Sequence, residues 1–124
     1  MRAPHAAPPL AALMLLAACE REEAPGQFRV IDGSPEFGRA LIAEYGCTAC
    51  HEIPGIGAVT GTVGPALDGF GDRAYIAGRL PNRPMALVSW LRDPPAIDPE
   101  TAMPALNLTE AEARDVAAYL YTLH

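Results

Sequence analysis

Cys47-Thr48-Ala49-Cys50-His51 is where this chain concentrates its chemistry. Two thiols three positions apart fall within one helical turn, and an imidazole follows directly. Three chemistries use such a group: thioether attachment of a c-type haem with His51 as axial ligand, dithiol–disulfide exchange, and one half of a zinc site. A zinc site needs a fourth ligand, and no further Cys or His lies near the motif in sequence. A thioredoxin-like site needs alternating strands and helices, and no segment here shows convincing period-two alternation. One covalent haem c is the expectation.

An iron bound by His51 keeps a second axial position. Met103, Met85 and the terminal His124 are the candidates, because Met1, Met14 and His5 leave with the N-terminal segment described below. Met103 precedes Pro104 in irregular chain, where a thioether is free to point inward without competing with helix packing. Met85 sits at helical spacing with Val88 and reads as core filler. Met103 is therefore the expected ligand.

The elements that position these groups read as helices joined by long loops. Ser34-Pro35-Glu36 is an N-cap, a proline at the first helical position and an acid in the first turn. Phe37, Gly38, Leu41 and Ile42 then follow at the spacing of one buried face, ending near Gly46. From Ile53 to Gly71 glycines and prolines break every period. Asn82-Arg83-Pro84 starts a second helix with Met85, Val88, Trp90 and Leu91, which Pro94-Pro95 terminates. A proline-rich stretch from Asp93 to Pro104 is read as irregular. Thr109 and Glu112 form a capping box for a last helix with the apolar stripe Ala113, Val116, Ala117, Leu120 and Leu123. The expected class is all-α.

The N-terminus reads as an address. Leu10 to Ala18 is an apolar run too short to span a bilayer and suited to a signal-peptide core. It ends in Leu16-Ala17-Ala18-Cys19, which resembles the lipobox of bacterial lipoproteins. The expected organisation is a leader over 1–18, an acylated Cys19 with an acidic tether over 19–33, and the folded domain over 34–124. Within the tether, Phe28, Val30 and Ile31 are expected to pack only weakly. That places the domain on the periplasmic side of a membrane, held by its lipid.

The 124 residues suffice for one small domain, whose interior a covalently held haem would help to fill. The formal net charge is −6, all nine basic residues are arginines, and there is no lysine. An acidic chain without a basic run is poorly suited to nucleic acid or to an anionic lipid surface.

Taken in order, Cys47-x-x-Cys50-His51, Gly64-Pro65-x-Leu67, Trp90-Leu91, Met103-Pro104 and Ala118-Tyr119-Leu120 resemble a class I cytochrome c from Ser34 to the C-terminus. The stretch from Leu80-Pro81-Asn82 to Pro94 is similar to the cytochrome c domain fused to subunit II of some bacterial haem–copper oxidases, here expected as a free-standing domain on a lipid tether. The resemblance implies a few helices and long loops wrapped around one haem. It implies that Pro65, after Gly64, offers its carbonyl to the Nδ1–H of His51, and that Leu67 packs on the haem. Gly38 and Ile42 would let the first helix cross the last near Val116 and Tyr119. Trp90 and Arg73, with Arg79 behind them, are candidates for the haem propionates.

A neutral thioether opposite histidine favours ferrous iron and raises the reduction potential. With both axial positions filled, the expected function is a monomeric carrier of single electrons and not an enzyme. Its implied partners are a quinol–cytochrome c oxidoreductase as donor and a terminal oxidase as acceptor. Two alternatives stand beside it: a fixed relay subunit of a respiratory complex, and a five-coordinate haem acting as a gas sensor or weak peroxidase.

Overall fold

The computed structural model describes residues 28–57 and 61–124. Cys19 and the proposed leader lie outside the described residues. Helix α1, Pro35–Glu44, starts as the sequence implies: Ser34 accepts a hydrogen bond at its hydroxyl from the Phe37 N–H. It stops at Tyr45 because Gly46 turns left-handed at φ 69°, a conformation open to glycine at little cost. Helix α4, Glu110–Leu120, opens on the full capping box, with the Thr109 hydroxyl accepting from the Glu112 N–H and the Glu112 carboxylate accepting from the Thr109 N–H.

These two helices cross, and the crossing depends on Gly38. A Cβ there would lie 2.0 Å from the carbonyl oxygen of Asp115 and 3.1 Å from the Cβ of Tyr119. Only hydrogen lets the backbones approach so closely. Ile42 is buried against the same core as Val116, Ala117 and Leu120. Polar contacts fix both ends of the crossing: the Ser34 N–H donates to the Asp115 carboxylate at 2.8 Å, and the Tyr45 hydroxyl donates to Glu112 at 3.1 Å.

Helix α2, Pro84–Arg92, buries Leu87, Val88, Trp90 and Leu91 against the same core. It ends before Pro94-Pro95, which bring no N–H to continue the ladder.

The all-α expectation holds: the regular elements of the described residues are mostly helical, with one small hairpin, β1 (Tyr75–Ile76) antiparallel to β2 (Leu80–Pro81), too short to show periodicity. Several finer expectations are corrected. The proline-rich stretch includes one helical turn, α3 (Pro94–Ile97), capped by the Asp93 carboxylate accepting from the Ala96 N–H. Phe37 is 68% exposed, so the buried face of α1 runs through Gly38 and Ile42 instead. Met85 is 50% exposed and fills no core.

The packed domain also reaches upstream of Ser34. Val30 is buried, and the Phe28 ring meets Tyr121 edge-on at 5.9 Å, while Ile31 faces solvent.

Asn82 is not the cap of α2; Arg83 holds that position without a side-chain bond. The Asn82 side chain is buried and donates to the carbonyls of Phe70 and Arg73, while its amide oxygen accepts from the Tyr121 hydroxyl at 2.8 Å. It ties the loop before the hairpin to the chain end.

Candidate haem site

The sequence folds Cys47–Ala49 into a single 3-10 turn directly after the left-handed Gly46. The Cys50 and His51 N–H groups both donate to the Cys47 carbonyl, which holds the motif in one turn. Cys47 and Cys50 are half-buried. Burial, with Cys50 adding a smaller push, raises the Cys47 thiol above its usual range. That is the reverse of an activated dithiol. Among the described residues no group of three or more His, Cys, Asp or Glu side chains is arranged to hold a metal ion.

His51 is oriented by the next loop. Its Nδ1 lies 2.7 Å from the carbonyl oxygen of Pro65. A carbonyl only accepts, so Nδ1 carries the proton and Nε2 keeps its lone pair for a ligand bond. Gly64 is required for this approach: a Cβ there would come within 2.3 Å of the ring Cε1. The loop is pinned back on the motif by the Gly64 N–H donating to Cys50 and the Leu67 N–H donating to Glu52, each at 2.8 Å. From the far side, the Arg39 guanidinium donates twice to the Gly55 carbonyl and the Tyr119 hydroxyl once to that of Pro54.

One mainly apolar cavity of about 480 Å³ gathers the expected residues. Cys47, Cys50, His51, Gly64, Pro65, Leu67, Arg73, Trp90 and Met103 all line it. Met85 does not. His124 does not either; its Nδ1 stands 3.2 Å from the carboxylate of Asp72. Trp90 is buried at the wall. Arg73 lies over the Phe70 ring and already donates to the carbonyls of Ala66 and Asp68, which fixes it at the edge of the cavity. Sequence reading did not single out the hairpin residues Tyr75 and Ile76, or Thr101, which also form the wall. The hairpin carries no motif, and only the fold brings it to the cavity.

The donor set fits a covalent haem: two thiols, an imidazole with its outer nitrogen already committed, and a thioether around one apolar space. Fold and site together define a small helical haem-binding domain. Residues 36–124 match the family described as Cytochrome c, and the chain belongs to that family. It follows the class I pattern of helices and loops and binds haem c covalently, with Cys47 and Cys50 placed for its attachment.

Among curated proteins it is similar to cytochrome c oxidase subunit 2 of Alkalihalophilus pseudofirmus, with 37% identity over 69% of this chain and 25% of that protein. It is also similar to cytochrome c oxidase subunit 2 of Bacillus sp. strain PS3, with 32% identity over 76% of this chain and 27% of that protein. The chain thus spans about a quarter of the length of these relatives. Membership of this family makes it an electron-transfer haem protein. Among the described residues no helix is long and apolar enough to cross a membrane.

Proposed function

We propose that this protein is a lipid-anchored monohaem cytochrome that carries single electrons in a respiratory chain, with His51 and Met103 as axial ligands. The observation that carries this reading is that one apolar cavity is lined by both side chains, with His51 already oriented by Pro65. The bound haem supplies a one-electron couple at its iron. Cys47 and Cys50 would hold it covalently, and Leu67 would pack on it within the apolar cavity. Arg73 and Trp90, both lining the cavity, would donate to the propionates, Arg73 from a guanidinium partly committed to backbone. Two retained axial ligands mean little rearrangement between oxidation states, which suits rapid exchange and leaves no open position for catalysis.

Cys19 would take the lipid that tethers the domain on the periplasmic side of the membrane, with the folded region following the leader and linker. A quinol–cytochrome c oxidoreductase as donor and a terminal oxidase as acceptor are the partners this reading implies. The relatives named as oxidase subunits favour a second form of it, a relay held within an oxidase complex.

Spectroscopy with potentiometry tests the ligation. Met103→Ala is expected to keep covalent haem, lose the weak near-infrared sulfur-to-iron band, lower the potential and admit carbon monoxide. Met85→Ala should leave all four unchanged. The opposite pattern overturns the assignment. For the setting, solubilising native membranes in mild detergent and recovering the protein with an oxidase at fixed stoichiometry favours the relay; recovery alone favours the mobile carrier.

A further inference from the structure

Two segments that line the cavity are joined outside it. The hairpin contributes Tyr75, Ile76 and Ala77 to the wall, and the loop after α3 contributes Thr101, Ala102, Met103 and Pro104. At the hairpin turn, the Arg79 guanidinium meets the Asp98 carboxylate through two hydrogen bonds, Nε at 3.1 Å and the second nitrogen at 3.2 Å. Asp98 is the residue from which the Met103 loop departs. Its carboxylate also accepts from the Glu100 N–H at 3.3 Å, and its carbonyl accepts from the Thr101 N–H at 3.0 Å. The Thr101 hydroxyl in turn accepts from the Met103 N–H at 3.2 Å. The run is continuous from Arg79 to the backbone of Met103.

We infer that Arg79 and Asp98 form a clasp that positions Met103, so that the hold on the sixth axial ligand is set by an ion pair outside the cavity. A bidentate guanidinium–carboxylate pair fixes direction as well as distance. The Asp98 side chain is only 14% exposed, while that of Arg79 is 54% exposed, so the anchor is on the loop and the arginine closes over it. Loop residues held by few contacts open locally more often than the core does. Beyond this pair, the irregular stretch from Asp98 to Met103 is held by its own short hydrogen bonds, by the Asp98 N–H donating to the Pro94 carbonyl at 2.9 Å, and by Met103 packing against the core. Both residues are positioning residues; neither lines the cavity. The inference rests on the reading of Met103 as axial ligand.

Carbon monoxide binding to the reduced, haem-loaded protein tests it, because entry requires Met103 to leave. Asp98→Ala and Arg79→Ala should each speed carbon monoxide binding roughly fivefold, the upper range for a half-exposed pair, and the double variant should be no faster than the faster single one. Amide exchange at the Thr101 and Met103 N–H groups should quicken in the same variants. Arg92→Ala, which removes a different surface pair with Glu110, should change neither rate.

In a Met103→Ala background, Asp98→Ala should add nothing. Wild-type carbon monoxide rates in Asp98→Ala, while Met103→Ala is open to the gas, overturn the clasp alone. Acceleration that persists in the Met103→Ala background also overturns it, by placing the effect elsewhere. A Met103→Ala protein that still excludes carbon monoxide overturns the axial assignment, and the clasp with it.

Discussion

His51 and Pro65 are bound to each other across the loop that separates them: the imidazole Nδ1–H donates to the Pro65 carbonyl at 2.7 Å, and Gly64 supplies the missing side chain that lets the ring lie there. The ring's orientation and its electron density are therefore set by backbone before any ligand bond forms.

Gly64→Ala should break this arrangement. The new methyl would overlap the ring, so either the loop or the imidazole must move. We expect several-fold less haem-loaded protein and a shifted potential in what remains, read from the ratio of Soret to protein absorbance and by potentiometry. Pro65→Ala keeps the carbonyl and should be milder on both counts.

Gly38→Ala tests the helix crossing. With a Cβ 2.0 Å from the Asp115 carbonyl oxygen, α1 and α4 must separate, and the cost should be about 2–3 kcal/mol. Denaturant titration of the haem-loaded protein measures it. Phe37→Ala, one residue away but exposed, should cost less than about 0.5 kcal/mol.

Tyr121 makes the fold sensitive to alkali. Burial pushes its hydroxyl up to about 12, against a smaller opposing pull from the Arg83 charge. The ordinary value is about 10, so in the unfolded chain the proton leaves first. The folded state then binds more protons, and stability falls as pH rises. That contribution is whole below about pH 10 and is lost progressively toward pH 12, amounting to about 2 kcal/mol. Urea titrations across this window should follow that slope, and Tyr121→Phe should flatten it. The variant should start about 1 kcal/mol less stable, because it leaves the buried Asn82 oxygen without its donor.

Docking should depend little on salt. Arg39 and Arg73 are bound to backbone carbonyls, Arg79 to Asp98, Arg92 and Arg114 to Glu110, and Arg83 lies 4.8 Å over the Phe28 ring. Arg39, Arg73 and Arg83 keep their charge, but Arg79 faces a carboxylate, Arg92 and Arg114 share one, and the chain carries a formal net charge of −6, so little net positive charge remains to steer an acidic partner. Exposed Val63 and Tyr75 at the cavity mouth offer apolar contact instead. Electron-transfer rates of a tether-free variant with a terminal oxidase should fall by less than about threefold between about 50 and 200 mM salt, unlike a steered encounter. Val63→Asp should slow them more than any single arginine substitution.

Cys19→Ser tests the anchor. The protein should move from the membrane to the soluble periplasmic fraction with its spectrum unchanged, since stable anchoring depends on its acyl chains. Continued membrane retention would point to binding by a partner or to an uncleaved leader.

How much of this was legible beforehand follows from the range over which each feature acts. The haem motif, the capping box at Thr109 and the helix start at Ser34 are local: their chemistry is complete within a few residues, and sequence alone determined them. Met103 is reached by elimination and by its place in irregular chain, and Pro65 only through family order, because nothing adjacent in the chain marks a carbonyl as inward-facing. Phe37 and Met85 were misplaced for a related reason. Helical spacing says which residues share a face, while which face is covered depends on the partner helix, and Gly38 decides that for α1. In sequence Asn82 reads only as part of the start of α2; the arrival of Phe70 and Tyr121 from distant chain gives its amide buried partners that local sequence does not show. The Arg79–Asp98 pair and the hairpin wall belong wholly to the tertiary structure, because two charges separated by α2 and α3 become neighbours only after the core they flank has packed.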